Sequence, residues 1–189
     1  MAKILFFAGS ARKQSTTKKL SKAAFKMAEE KGIDATFVDL RDYPMPLYDG
    51  DLEDEQGMPE NAKKLKKLFV EHDGFFIVSP EYNSSYPPLL KNVVDWISRS
   101  DGEDLGEPYK GKTLAIAASS PGGLGGMRVL VPLRMLFGNL GVHVVPSQVS
   151  VNFVTKAFDE NGMLAIDNQR NLMDATLDEL KSTTDALKG

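Results

Sequence analysis

The chain has 189 residues, of which 42% are hydrophobic and 26% charged, and its net charge at pH 7 is −3. That length suits one domain, spanning 1–189, and the composition is that of a globular protein rather than a disordered one. Basic residues are interspersed with acidic ones, so nucleic acid is not an expected partner, and the absence of cysteine excludes disulfides, a thiolate nucleophile and a CxxC redox pair.

Ile4, Leu5, Phe6, Phe7 and Ala8 form a short apolar run closed by Gly9, as expected of a strand covered on both faces. The run ends in a polar loop without the pattern of a signal peptide, and no stretch approaches the ~18 apolar residues of a membrane span. A cytoplasmic protein with no integral membrane segment is expected. From Thr17 onward Leu20, Ala24 and Met27 recur at helical spacing until Gly32 ends the helix.

A second strand is predicted over 35–40. Residues 41–59 then interrupt the rhythm, with Tyr43, Pro44, Pro46 and Tyr48 followed by an acidic run. They read as a long connection with a semi-rigid, partly apolar surface. Pro59 opens a helix with Ala62, Leu65 and Leu68 on one face, and 74–79 is the third strand. A largely apolar helix over 88–98, a strand over 113–118, a helix over 127–140 and a strand over 142–145 come next. The last helix starts near Asn168, with Asp167 as a cap. His143 reads as a structural residue of the fifth strand, His72 as a surface residue near a helix end, and Trp96 as packing.

This alternation predicts an α/β fold, a flavodoxin-like three-layer sandwich. Its five-stranded parallel sheet has the order 2-1-3-4-5, with helices on both faces. Ligands of such sheets bind beyond the carboxyl ends of the strands, at the switch point beside the first strand. Three loops converge there, those after the first, third and fourth strands.

The first loop, Gly9-Ser10-Ala11-Arg12-Lys13-Gln14-Ser15-Thr16-Thr17, contains neither GxGxxG nor GxxxxGK[ST], so it resembles no dinucleotide or triphosphate loop. Its hydroxyls, the N–H groups of the helix that follows and Arg12 suit a phosphate monoester, which is dianionic with three free oxygens. Ser15, Thr16 and Thr17 also suit simple N-capping, and Arg12 a surface charge. In the second loop, Pro80-Glu81-Tyr82-Asn83 leads to Pro87 and Pro88; Tyr82 can border an aromatic ligand, and Asn83 can lock the loop or meet the ligand. The third, from Ser119 and Ser120 through Gly122 and Gly123 to Gly126, is either a flexible turn or a source of N–H donors for the polar edge of a flat ring.

Four motifs occur in order: Gly9-Ser10-x-Arg12-x-x-Ser15, Pro80-Glu81-Tyr82-Asn83, Leu90-Lys91-Asn92-x-x-Asp95-Trp96-x-Ser98-Arg99, and Gly122-Gly123-x-Gly125-Gly126-x-Arg128. Between about residues 4 and 140 the chain resembles the NADPH-dependent FMN reductase family, which includes bacterial quinone, chromate and azo-dye reductases. The resemblance implies bound FMN, with NADPH or NADH as hydride donor and a small-molecule electron acceptor. It implies a phosphate site of Ser10, Arg12, Ser15 and Thr17 with the neighbouring Thr16. Pro80, Glu81, Tyr82 and Asn83 would lie beside the isoalloxazine, and Ser119, Ser120, Gly122 and Gly123 would form the third side. Relatives often carry Asn at the position of Thr17. No side chain is expected to act as a catalyst, no metal is called for, and a homodimer or homotetramer is implied. A flavodoxin-type electron carrier is the alternative, and an α/β domain without cofactor a further one.

Overall fold

The strands over Lys3–Ala8, Gly74–Pro80 and Thr113–Ser119 are near-continuous buried runs covered from both sides, whereas the two outer strands are partly exposed. The computed structural model describes residues 1–100, 102 and 105–188. In chain order the elements are β1 (Lys3–Ala8), α1 (Thr16–Glu30), β2 (Asp34–Val38), α2 (Gly50–Gln56), α3 (Glu60–Glu71) and β3 (Gly74–Pro80). There follow α4 (Pro88–Ile97), β4 (Thr113–Ser119), α5 (Met127–Asn139), β5 (His143–Val151) and α6 (Asp167–Lys188). The strands form one parallel sheet in the order β2-β1-β3-β4-β5, as the alternation predicts.

Alternate residues of each strand feed two separate cores. Ile4, Phe6, Phe76 and Val78 pack with Leu20 and Ala24 of α1 and Leu177 and Leu180 of α6. Leu5, Phe7, Phe75 and Ile77 pack with Leu65 of α3, Val93 of α4 and Leu133 of α5. Full burial of one such side chain contributes about 1.5–3 kcal/mol, so both faces resist a shift in register. Ala8 pairs with Val78 and Val78 with Ala117, which brings the ends of β1, β3 and β4 level at one edge.

Three elements differ from expectation. β5 runs from His143 to Val151, well beyond 142–145. Its register jumps from Leu114↔Val144 to Ile116↔Gln148, a bulge in which β5 spends four residues while β4 spends two. Pro146 lies in that bulge, where it owes no ladder hydrogen bond. Arg134 of α5 fills the gap, donating to the carbonyls of Val144 (3.1 Å), Val145 (2.9 Å) and Pro146 (3.2 Å).

The 41–59 connection carries α2, whose N-cap Asp49 accepts from the Asp51 N–H at 3.0 Å and whose chain turns out at Gly57 with φ +71°. No residue of α2 is buried, so it has no apolar periodicity by which to recognise it. β2 stops at Val38 because Asp39 caps a 3₁₀ turn over Leu40–Asp42.

The preceding stretch is clamped by α4. Asn92 accepts from the Tyr48 N–H (2.7 Å) and donates to the Pro46 carbonyl (2.8 Å), and the Trp96 Nε1–H reaches the same carbonyl (2.9 Å). Trp96 is fully buried, so its packing role holds. His72, in contrast, is buried and His143 exposed. Among the described residues no helix is long and apolar enough to cross a membrane.

Candidate functional site

The loops after β1, β3 and β4 meet in an open cleft of about 160 Å³ at the carboxyl edge of the sheet. From the first come Ser10, Arg12, Ser15, Thr16 and Thr17, from the second Pro80, Glu81 and Tyr82, and from the third Ser119, Ser120 and Pro121. Ten of the thirteen residues singled out by sequence therefore line one space. Asn83, Gly122 and Gly123 belong to the same loops but not to the lining.

The first loop is tight from its start. A Cβ on Gly9 would lie 3.2 Å from Leu90 of α4, which is why β1 passes so close to the beginning of that helix. Ser10 is buried and its Oγ accepts from the Arg12 N–H at 3.3 Å. Ser15 caps α1: its Oγ accepts from the Lys18 N–H (3.2 Å) and donates to Thr17 Oγ1 (3.3 Å). The N–H groups of Thr16 and Thr17, in the first turn, have no intrahelical acceptor, and the positive end of the helix dipole lies there. Lys18 is buried, and its Nζ holds both Asp39 oxygens at 3.1 and 2.8 Å, tying the start of α1 to the end of β2. Arg12 is exposed.

Beyond Pro80 the second loop folds into a two-residue hairpin. The Tyr82 N–H donates to the Ser85 carbonyl (2.9 Å) and the Ser85 N–H to the Tyr82 carbonyl (3.0 Å). Asn83 and Ser84 have φ of +50° and +67°, the left-handed pair of a type I′ turn, where Asn is well tolerated. Asn83 thus forms the turn, and Tyr82, 54% exposed, stands at the mouth of the cleft.

In the third loop Ser119 is buried and its Oγ has no partner among the described residues. Such an atom costs free energy unless a ligand or water satisfies it. A Cβ on Gly122 would find only Ser120 Oγ, at 4.0 Å, and one on Gly123 only the Phe153 ring, at 3.5 Å. The space on their Cβ side is open, while the Gly122 carbonyl accepts from the N–H groups of Gly125 and Phe153, at 3.3 Å each. The steric need for glycine lies further on: Gly125 (φ +61°) would set a Cβ 2.5 Å from Ser150 Oγ, and Gly126 (φ +80°) one 3.1 Å from Ala118 Cβ.

The second and third loops are joined by one side chain. Glu81 Oε2 accepts from the N–H groups of Arg128 (3.0 Å) and Val129 (3.3 Å), and Oε1 from Arg128 Nε (2.9 Å).

Phe153 was not predicted. It follows β5 with φ +45° and lies 55% exposed beside Gly123, and no sequence signal reports such a dihedral. Tyr48 of the 41–59 connection is not among the lining residues: its ring meets Trp96 (centroids 5.0 Å apart) and its hydroxyl donates to Glu53 (2.8 Å).

The sequence model of the family described as NADPH-dependent FMN reductase matches residues 2–156. The chain is 41% identical over 92 residues to a quinone reductase of Escherichia coli (strain K12), an alignment covering 49% of this chain and about half (47%) of that protein's length. To a 2-hydroxy-1,4-benzoquinone reductase of Burkholderia sp it is 30% identical over 178 residues, 94% of this chain and 93% of the other. Among solved structures FerB, a flavoenzyme NAD(P)H:(acceptor) oxidoreductase from Paracoccus denitrificans, matches with a TM-score of 0.79 at 26% identity, covering 96% of this chain and 98% of that one.

Proposed function

The chain belongs to the NADPH-dependent FMN reductase family, and from that premise we propose that it is an NAD(P)H-dependent FMN oxidoreductase acting on quinones or similar acceptors. The observation that carries this reading is the cleft itself, which brings the helix N-terminus, hydroxyls and arginine of the first loop together with Pro80, Glu81, Tyr82 and the unpartnered Ser119 hydroxyl.

The residues fit FMN. At the first end the α1 amides of Thr16 and Thr17, the hydroxyls of Ser10, Ser15 and Thr17, and the exposed guanidinium of Arg12 suit a phosphate monoester. At the other end the Ser119 Oγ, unpartnered among the described residues, and the unfilled Cβ side of nearby Gly122 and Gly123 suit the polar edge of an isoalloxazine, with Ser120 beside them. Pro80, Glu81 and Tyr82 would border its ring, and Asn83 would act through the turn it forms. When bound, FMN supplies the acceptance of hydride from NADPH or NADH and its delivery as electrons to the acceptor.

The chain's own part is to bind, orient and shield. Donors held near the developing negative charge need no reorganisation during reaction, and no side chain has to act as nucleophile or acid. Tyr82 offers an aromatic wall at the mouth, where donor and acceptor would take turns in a ping-pong scheme. Azo compounds and chromate fall within the range of oxidants an open cleft admits. A homodimer or homotetramer belongs to the same proposal. Met127, Val131 and Met135, exposed at four-residue intervals along α5, offer it a surface.

Anaerobic titration of the FMN-supplemented, desalted protein with NADPH and then NADH tests the reading. Flavin that is retained and bleached on addition of nucleotide is the expected result. Retained flavin that stays oxidised with both nucleotides would instead indicate an electron carrier, and no retained flavin would remove the cleft assignment.

A further inference from the structure

We propose that Glu81 is a positioning residue, a latch that sets the separation of the two loops between which the flavin ring is to lie. The inference rests on the flavin reading above and assigns Glu81 a task other than contact with the ligand through its carboxylate.

The argument begins at the start of α5. Its N-cap is Gly126, with φ +80° and no side-chain cap hydrogen bond. A side chain cannot be added there cheaply, because a Cβ would lie 3.1 Å from Ala118 Cβ and 3.3 Å from the Ser119 nitrogen, in a left-handed conformation that favours glycine. The helix therefore lacks the Ser, Thr, Asp or Asn that usually accepts from the second and third helical N–H groups.

Glu81 takes that place from another loop. Its Oε2 accepts from the N–H groups of Arg128 (3.0 Å) and Val129 (3.3 Å), the second and third residues of α5. Its Oε1 lies 2.9 Å from Arg128 Nε and 2.8 Å from Arg128 Nη2. The carboxylate thus accepts three hydrogen bonds and makes one further ion-pair contact, so both of its oxygens are engaged within the protein. Its side chain is 8% exposed, against 57% for Arg128.

Each of these bonds joins the loop after β3 to the segment that follows the loop after β4. Glu81 lies between Pro80 and Tyr82, and Gly126 is the last residue before α5, so the latch spans two of the three walls of the cleft. Charge-assisted, bidentate bonds hold a separation more strictly than neutral ones, and the separation decides whether a flat ring is gripped on both sides. The second and fourth sequence motifs thereby acquire one shared task, with Glu81 in one and Arg128 in the other.

The test compares wild type with Glu81→Ala, Glu81→Gln and Arg128→Ala. The readouts are the FMN dissociation constant by flavin fluorescence quenching, the visible spectrum of the bound flavin, and the melting temperature without FMN. Glu81→Ala is expected to weaken FMN binding about tenfold or more and to change the bound-flavin spectrum. Arg128→Ala should do so to a smaller degree, and Glu81→Gln, which keeps an acceptor for the two N–H groups, should recover most of the loss. If Glu81→Ala does not fold, Arg128→Ala, altered at an exposed side chain, decides. FMN affinity and spectrum at wild-type values in the folded variants would overturn the latch even if melting temperatures fell, since a merely structural cap predicts that pattern. A wild type that binds no FMN would overturn the flavin reading and the latch with it, and the wild-type trace alone distinguishes that outcome.

Discussion

At the amino edge of the sheet Lys112 donates from Nζ to the carbonyls of Val70 (2.8 Å) and His72 and so closes the end of α3, whereas at the carboxyl edge Ser119 Oγ lies buried with no partner among the described residues. The contrast extends to neighbouring groups. Asp73, at the amino edge, accepts from the Lys3 N–H (2.8 Å) and from Lys188 Nζ (2.7 Å), and the Thr113 and Thr184 hydroxyls pair at 2.5 Å. His72 Nδ1 lies 2.6 Å from the Leu68 carbonyl. Burial pushes His72 below its ordinary pKa, and burial does the same to Lys112.

At the carboxyl edge three residues other than glycine have positive φ, namely Asn83, Ser84 and Phe153. Tyr82, Leu124, Met127 and Phe153 are exposed there by about half of their surface each. Strain and unmet hydrogen-bonding capacity persist only where something else compensates for them, commonly a ligand. One edge satisfies its own polar groups, and the other leaves the Ser119 hydroxyl unmet among the described residues.

Substitutions at the two edges should therefore separate stability from binding. The largest effect is expected at Gly74, where a Cβ would run into Thr113 Oγ1 and lie 3.1 Å from Thr184 Oγ1. Gly74→Val should cost about 3 kcal/mol in urea unfolding through overpacking and loss of the hydroxyl pair, while the folded fraction keeps its FMN affinity. A change in affinity with unchanged stability would break the comparison.

Next comes Arg12→Ala at the other edge. It should weaken FMN binding about tenfold by removing a charge-assisted contact and leave the melting temperature of the apoprotein in place. Unchanged affinity for FMN, read by fluorescence, would remove Arg12 from the phosphate site. Smallest is Ser119→Ala, expected to reduce FMN affinity about threefold while the apoprotein stays as stable or gains slightly, because an unpaired buried hydroxyl disappears. A loss of apoprotein stability in thermal melts would mean that this hydroxyl is satisfied within the protein.

Much of this was legible beforehand because it rests on local chemistry. Uninterrupted apolar runs such as Ile4 to Ala8 announce strands covered on both faces, and Ser15 before the lysine-rich, apolar-periodic start of α1 announces a cap. The loops after the first, third and fourth strands follow from strand order, and ten of their thirteen chosen residues line the cleft. The bulge in β5 was not legible, since Pro146 reads as a strand end until Arg134 is seen holding the carbonyls around it. Nor was α2, which has a cap and an acidic first turn but no buried face.

By itself the sequence determined the periodicities, the turn and capping residues, and with them the α/β order and the identity of the three loops. These depend on interactions within a few residues and on which faces must be buried. Only the tertiary structure decided that Glu81 caps a helix 47 positions away, that Gly125 and Gly126 rather than Gly122 and Gly123 are the glycines their loop sterically requires, and that Phe153 lies beside Gly123. Each of those outcomes is a distance or a dihedral set by packing between elements remote in the chain, and neither residue type nor spacing encodes it locally.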